Sequence, residues 1–110
     1  MDTIIIKIGK TYSFIKINEI KWIESDSGYI KIHSDNKSYI VRMTLQDFES
    51  KLVSNNLIRI SRSKMINMIK IKEVIDSEKS NDFTVVLNDN TALKWGRRYR
   101  GNFPALPIIK

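Results

Sequence analysis

The segment from Ile58 to Asn67 interleaves cationic and hydroxyl side chains with apolar ones. Its sequence, Ile-Arg-Ile-Ser-Arg-Ser-Lys-Met-Ile-Asn, lets alternate residues enter a core while arginine and serine face outward. Serine hydroxyls and backbone N–H groups suit phosphate oxygens, and arginine suits either a phosphate or the O6/N7 edge of guanine. The segment therefore predicts contacts with a nucleic acid. For Arg59 a second interpretation stays open, in which its guanidinium pairs with a carboxylate from a neighbouring helix.

A second cationic segment extends from Leu93 to Arg100. Gly96 would let the backbone turn or approach closely, which places Arg97 and Arg98 at the end of a strand. Trp95 precedes this glycine, and we expect it in the core rather than as a stacking platform. The segment is thus a second candidate for contacts with a polyanion.

The distribution of charge agrees with these two candidates. The chain has 110 residues, enough for one domain, and a formal net charge of +7. Five basic residues and no acid lie between residues 57 and 72, and the same is true between residues 90 and 110. Such a balance predicts affinity for polyanions without saying which one. The alternative is that both stretches are solvated strand faces that happen to be cationic.

Residue types suited to catalysis or metal binding are scarce. The chain has no cysteine and a single histidine, His33, and its acids lie mostly in predicted turns. It contains neither a Gly-x-Ser-x-Gly elbow nor a glycine-rich phosphate loop. We therefore expect no enzyme activity, no metal site and no cofactor. His33 alternates outward with Lys31 and is expected at a strand surface.

The N-terminal sequence MDTIIIKIGK has an apolar triplet followed by lysines. This stretch is too short for the core of a signal peptide or for a membrane span. The expectation is a soluble, cytoplasmic protein.

Most of the chain alternates apolar and polar residues, the period of half-buried strands. The predicted strands cover residues 4–8, 15–17, 20–22, 29–33, 38–43, 57–60, 65–74, 83–87 and 93–95. The runs 29–33 and 38–43 form a predicted hairpin around Ser34-Asp35-Asn36. Asn88-Asp89-Asn90 predicts a tight turn between the last two strands.

One segment departs from the two-residue period, because Leu45, Phe48 and Leu52 fall on one helical face. Thr44 can cap the first turn, and Asp47 follows it three residues later in a pattern like a capping box. The sequence predicts one short helix near residues 44–53 that ends before Asn55-Asn56. The helix carries two acids and one lysine, which indicates a packing element rather than a helix that lies in a DNA groove.

Taken in order, five landmarks of the chain resemble the LytTR domain, the DNA-binding output domain of many bacterial response regulators of the LytR/AlgR family. They are Ile20-Lys-Trp-Ile-Glu24-Ser25 before a short loop, Tyr29 opening the next strand, the helix, Ile58-Arg-Ile-Ser-Arg-Ser63 followed by Ile66-Asn67, and Gly96-Arg-Arg-Tyr-Arg100. The resemblance extends from about Ile4 to Phe103. It predicts a domain over residues 1–103 and a C-terminal tail over residues 104–110. In one departure, Gly96 stands where the family usually has a serine that could hold the arginine segment or a phosphate.

The resemblance implies a mainly β fold, an elongated stack of small antiparallel sheets. It also implies that loops enter successive major grooves of double-stranded DNA. The first contacting loop would be Asp26-Ser27-Gly28-Tyr29. Implied base contacts are Gly28, Tyr29, Arg62 and Arg98, and implied DNA-backbone contacts are Arg59, Ser61, Ser63, Lys64, Arg97 and Arg100.

The same resemblance implies the partners of the domain. Two protomers would bind two direct half-sites in promoter DNA, and a receiver domain or other regulatory partner would lie outside this chain. Asn67 matches a family asparagine, and we interpret it as satisfying backbone groups in a turn.

Two other functions stay open. A protein-interaction module of the same fold could have lost specific DNA binding and could bind an acidic partner through its basic face. Single-stranded nucleic-acid binding is less favoured, because it requires exposed aromatic residues along a groove. Here Trp22, Phe48 and Phe83 all fall at apolar positions of the pattern.

Overall fold

The computed structural model describes residues 2–53 and 56–110. Within these ranges the chain forms ten β-strands, one α-helix and three 3₁₀ helices. The strands are β1 (Thr3–Ile8), β2 (Thr11–Lys16), β3 (Ile20–Asp26), β4 (Tyr29–Ser34), β5 (Ser38–Val41), β6 (Leu57–Ser61), β7 (Lys64–Asn67), β8 (Ile71–Asp76), β9 (Phe83–Leu87) and β10 (Ala92–Trp95). The helix α1 is Leu45–Ser50, and the 3₁₀ helices are Ile17–Glu19, Met68–Lys70 and Arg97–Asn102. The predicted domain start at residue 1 and the predicted helix limit at Asn55 lie outside the described residues.

The strands form three antiparallel sheets. β1 pairs with β2, a central sheet has the order β5-β4-β3-β7-β6, and a third sheet has the order β10-β9-β8. The extents along the principal axes are 49 × 29 × 24 Å, so the molecule is elongated. The predicted mainly β fold with small antiparallel sheets and one short helix is confirmed.

The central sheet is covered on both faces. Successive side chains of a strand point to opposite faces, and the neighbours Met65 and Ile66 on β7 are both fully buried but in different apolar clusters. The first core joins this sheet to β1, β2 and α1 through Ile6, Ile15, Ile17, Ile20, Ile23, Ile30, Ile32, Leu45, Phe48, Leu57 and Met65. The second core joins it to the third sheet through Ile60, Ile66, Val85, Leu87 and Trp95.

The predicted hairpins are present, but the predicted strand over residues 65–74 is not continuous. β4 pairs with β5, and β9 pairs with β10. Asn67 ends β7, and the chain then crosses through Met68–Lys70 to β8 in another sheet. The fully buried Asn67 amide donates to the carbonyls of Ile17 (2.9 Å) and Ile20 (2.8 Å), and its oxygen accepts from Ile69 N (3.2 Å). The interpretation of Asn67 as a partner of backbone groups in a turn is confirmed. Because Asn67 caps the 3₁₀ helix Met68–Lys70, the prediction of one continuous strand over residues 65–74 is wrong.

The helix is shorter than the predicted range of 44–53. Thr44 Oγ1 accepts from Asp47 N at 3.0 Å, which confirms the predicted cap. After Ser50 the backbone hydrogen bonds join residues three apart instead of four: Lys51 N donates to Phe48 O, and Leu52 N donates to Glu49 O. Such three-residue bonds tighten and end a helix.

No helix among residues 2–53 and 56–110 is long and apolar enough to cross a membrane.

Candidate nucleic-acid interface

Two backbone hydrogen bonds bring the three predicted contact segments to one edge of the molecule. Ser25 N donates to Ser63 O at 2.8 Å and links the β3–β4 hairpin to the β6–β7 hairpin. Gly96 N donates to Ile60 O at 2.8 Å and links the segment after β10 to β6. Residues 26–29, 61–64 and 96–100 are therefore neighbours in the fold.

The first segment is a two-residue hairpin turn. Asp26 pairs with Tyr29 across β3 and β4, which leaves Ser27 and Gly28 as the turn residues. Their φ angles are 51° and 86°, and both are positive, as a type I′ turn requires. Gly28 therefore has a structural reason to be glycine, whatever it contacts. Tyr29 is 45% exposed beside it.

The second segment is the turn between β6 and β7. Ser61 pairs with Lys64, which leaves Arg62 and Ser63 at the tip. Ser63 N donates to Ser61 Oγ at 3.3 Å, and this bond lies within the turn. Arg62 is exposed, and its side chain has no hydrogen bond or ion pair with the described part of the chain.

The third segment begins the 3₁₀ helix Arg97–Asn102. Arg97 and Arg98 are exposed, and Gly96 gives the helix no side-chain cap. Asp82, in the loop before β9, supplies an acceptor instead: its Oδ1 accepts from Arg97 N at 3.1 Å, and its Oδ2 lies 3.1 Å from Lys94 Nζ. The hydrogen bond from Lys94, helped by the one from the Arg97 N–H, holds the pKa of Asp82 below its usual value.

Trp95 fixes this segment from the core side. Its ring is fully buried, and its Nε1 donates to Tyr99 O at 2.8 Å. Asn102 Nδ2 donates to Arg59 O at 2.9 Å at the other end of the 3₁₀ helix. The expectation that Trp95 belongs to the core is confirmed.

Two of the predicted contact arginines have carboxylate partners. Arg59 Nη1 lies 3.0 Å from Glu49 Oε1 on α1, so the pairing of Arg59 with a helix carboxylate is confirmed. Arg100 Nη2 lies 3.4 Å from Asp76 Oδ2, and its guanidinium carbon lies 3.9 Å from the centre of the Phe83 ring. A phosphate contact by either arginine stays a prediction.

Arg62 and Tyr99 line two neighbouring grooves at this edge. A groove of about 380 Å³ is lined by Ser61, Arg62, Ser80, Asp82, Lys94, Gly96, Arg97, Arg98 and Tyr99. A groove of about 570 Å³ is lined by Ser25, Asp26, Ser27, Gly28, Tyr29, Met43, Thr44, Leu45, Gln46, Arg59, Arg62 and Tyr99. The edge thus offers guanidinium forks and hydroxyl groups next to one another, the donors that guanine edges and phosphate oxygens accept.

His33 is less exposed than the strand pattern predicts. Its ring stacks on Trp22 with 4.2 Å between ring centres, and its Nε2 lies 2.9 Å from Glu24 Oε2. The side chain is 19% exposed. His33 does alternate outward with Lys31 as predicted, but it is half-buried because Trp22 covers part of this face of the sheet and packs against the second core.

Sequence reasoning left a helix carboxylate open as the partner of Arg59 without choosing between Asp47 and Glu49, and it did not assign Asp82 to this edge. Glu49 is 10 residues from its partner Arg59, and Asp82 is 15 residues from Arg97, so no local pattern connects them. One sequence feature could have indicated Asp82, namely that Gly96 stands where the family usually has a serine and so leaves the following 3₁₀ helix without a side-chain cap. A 3₁₀ helix without its own cap needs an acceptor from elsewhere in the fold.

Comparisons with known proteins agree on one family. The family model of the LytTr DNA-binding domain matches residues 10–106. Transcriptional regulatory protein LytR of Staphylococcus aureus (strain N315) is 29% identical over 100 residues, which cover 91% of this chain and 40% of that protein. Sensory transduction protein LytT of Bacillus subtilis (strain 168) is 24% identical over 94 residues, which cover 86% of this chain and 39% of that protein.

A solved LytTr DNA-binding domain from Bacillus cereus has the same fold. The TM-score is 0.77 at 17% identity, and the match covers 94% of both chains. The chain spans about two fifths of the length of the curated relatives it matches.

Proposed function

The chain belongs to the LytTr DNA-binding domain family, and on that basis we propose that it binds specific double-stranded DNA as the output domain of a bacterial transcription regulator. The coarser function, DNA binding in transcription regulation, comes with the family. The observation that supports the finer proposal concerns Arg62 and Arg98. Both are exposed, both lack a side-chain partner among the described residues, and both line one groove.

In this proposal Arg62 and Arg98 contact base edges, and the Gly28-Tyr29 turn adds a third contact. A bidentate arginine–guanine pair contributes about 1–3 kcal/mol of discrimination against the wrong base. The DNA backbone is bound by Ser61, Ser63, Lys64 and Arg97, which supply affinity that depends on salt. Arg59 and Arg100 are weaker candidates for that role, because Glu49 and Asp76 already pair with them.

The proposal extends to the architecture of the complex. As the family resemblance implies, we propose that loops enter successive major grooves, and the position of the contact residues at hairpin turns and at a strand end supports this. The exposed acids Asp47 and Glu49 would repel phosphates from α1. We propose two protomers on two direct half-sites, with a receiver domain or other regulatory partner outside this chain. The greater length of the relatives supports this last point.

The proposal is tested by selecting bound duplexes from a random library with the wild type, Arg62→Ala and Arg98→Ala. We expect one recurrent motif with the wild type. Each variant should lose about 1–3 kcal/mol of discrimination, at different base pairs of that motif. The information content of the motif at each position measures this loss.

Arg42→Ala is the matched control, because Arg42 is an exposed arginine outside the predicted contact set. It should leave the motif intact. Recovery of no motif by the folded wild type at low salt would contradict specific DNA binding and favour a protein-interaction module. Equal weakening of motif and random duplexes by Arg62→Ala would contradict base contact by Arg62.

A further inference from the structure

We infer that Arg59 is a positioning residue for DNA recognition: its guanidinium holds the β6–β7 turn in the one conformation that presents Arg62 to a base. The inference rests on the proposed function. It gives Arg59 a role different from the phosphate contact that the family resemblance implied.

Three hydrogen bonds of one guanidinium carry the inference. Arg59 Nε donates to Ser61 O at 2.8 Å, and Nη2 donates to Arg62 O. Nη1 donates to Glu49 Oε1 at 3.0 Å. One planar group therefore bonds two successive carbonyls of the turn and anchors them to α1. The Arg59 side chain is only 17% exposed, which leaves little of it to meet a phosphate.

The backbone under this turn is irregular, so it needs such a support. The pairing of β6 with β7 shifts between Arg59 and Ser61, and Ile60 lies at the shift. A bulge of this kind bends the strand and changes the direction of the residues that follow. Arg59 and Ser61 flank the bulge, and the Nε bond closes it. The Ile60 carbonyl is meanwhile bonded by Gly96 N from the third segment.

Arg62 itself cannot fix its orientation. Its side chain has no partner among the described residues, and it stands at the exposed tip of a two-residue turn. Recognition of guanine by a fork of two N–H groups requires a defined direction of approach. The carbonyl held by Arg59 belongs to Arg62, so the bond acts on the residue that must be oriented.

The substitution Arg59→Lys distinguishes a positioning role of Arg59 from a phosphate contact. A lysine ammonium is a compact point charge that still binds a phosphate, but it lacks the planar fork that reaches three acceptors at once. Arg59→Lys therefore preserves a phosphate contact and removes the support of the turn.

The experiment measures equilibrium binding of the wild type, Arg59→Lys, Arg62→Ala and the double variant to the selected duplex and to random duplex across a salt series. We expect Arg59→Lys to weaken the selected duplex roughly 5- to 20-fold, within the range of a lost arginine–guanine pair. Its random-duplex affinity and salt slope should match those of the wild type. Its effect should disappear when Arg62→Ala is already present.

Glu49→Ala gives a second measurement, because charge removal and loss of the Arg59 anchor have different effects on DNA binding. Removal of an acid near DNA would by charge alone strengthen binding. The inference instead expects a smaller ratio of selected to random affinity, because the guanidinium loses its anchor on α1. Asp47→Ala, which removes another exposed acid of the same helix, should keep the wild-type ratio. Thermal unfolding of each variant confirms that the folded protein is compared.

The inference is overturned if Arg59→Lys and Glu49→Ala both retain the wild-type ratio. It is also overturned if Arg59→Lys weakens the two duplexes equally, since a loss that is independent of sequence does not come from a misdirected base contact at Arg62. If the wild type itself shows no preference for any duplex, the proposed function fails, and that outcome is seen before any variant is compared.

Discussion

Arg62 and Lys64 are two residues apart but lie in different structural settings. Arg62 is a turn residue, whereas Lys64 belongs to β7, where it pairs with Glu24 on β3 and Ser61 on β6. The Lys64 ammonium has no hydrogen bond or ion pair within the described ranges. A free point charge of this kind suits a phosphate, which carries no sequence information.

We therefore expect Lys64→Ala to weaken selected and random duplexes by the same factor. The slope of log affinity against log salt should fall by about one, since one phosphate contact is lost. Binding titrations at several salt concentrations measure both quantities. A loss confined to the selected duplex would instead assign base contact to Lys64.

At this scale the sequence predicted residues whose role depends on their own neighbourhood. Thr44 was predicted as a cap because its hydroxyl satisfies a group three residues away. Asn67 was predicted as a backbone partner through the family resemblance, since its amide also bonds the carbonyls of Ile17 and Ile20, which are 50 and 47 residues away. The exposure of His33 was overestimated, since it depends on Trp22 and on a sheet face covered by distant residues. The contact of Asp82 with Arg97 likewise arises only in the folded chain. The pairing of Arg59 with a helix carboxylate was one of two interpretations that the sequence left open.

Among the elements, the 3₁₀ helix Arg97–Asn102 is held at its start by a loop rather than by its own cap. The acceptor is Asp82. Its pKa is lowered mainly by the hydrogen bond from Lys94 and also by the hydrogen bond from the Arg97 N–H. A carboxyl with a depressed folded-state pKa remains ionised below its ordinary value of 3.8. The bond to Arg97 is thus present at neutral pH and is lost only as the pH falls through the lower folded value.

We expect the Arg97 amide proton to follow this ionisation in an NMR pH titration. Its chemical shift should change with a midpoint below 3.8, the ordinary value for aspartate. In Asp82→Asn that change should disappear, while exposed carboxyls elsewhere in the chain titrate as before. A midpoint at or above 3.8, or an unchanged titration in Asp82→Asn, would contradict the bond.

The sequence predicted elements best where turn chemistry marks them. Ser34-Asp35-Asn36 and Asn88-Asp89-Asn90 separated strands that do pair as hairpins. The end of α1 was predicted too late, because Leu52 continues the apolar face and still packs against the first core after the helix has ended. Periodicity records which side chains are buried and says less about the backbone that carries them.

In the molecule as a whole, two cores share the strands of one sheet. Ile30 is fully buried in the first core, whereas Trp22 packs against the second and Trp95 lies within it. These are the two tryptophans of the chain. Met65 and Ile66 are neighbours on β7 but belong to opposite cores, so disruption of the central sheet on one face also disturbs the core on the other face.

We therefore expect Ile30→Ala to destabilise both halves together by about 2–5 kcal/mol, the usual cost of such a truncation in a core. Tryptophan fluorescence and far-UV circular dichroism should shift to the same lower denaturant midpoint. Ile40→Ala is the control, since Ile40 is 58% exposed on β5 and should change stability by under about 0.5 kcal/mol. A fluorescence midpoint that stays in place would mean that the cores unfold independently.

The exposed positions of Arg62 and Arg98 have a consequence for how this domain can acquire new targets. Arg62 and Arg98 belong to neither core, and their segments are fixed by backbone bonds at Ser63 and Gly96 that do not depend on what the arginines are. Under the proposed function, substitution at these two positions should change the recognised bases and leave the folding free energy nearly unchanged. Under the same proposal, the domain can change its DNA target without losing stability as long as Arg59 is retained.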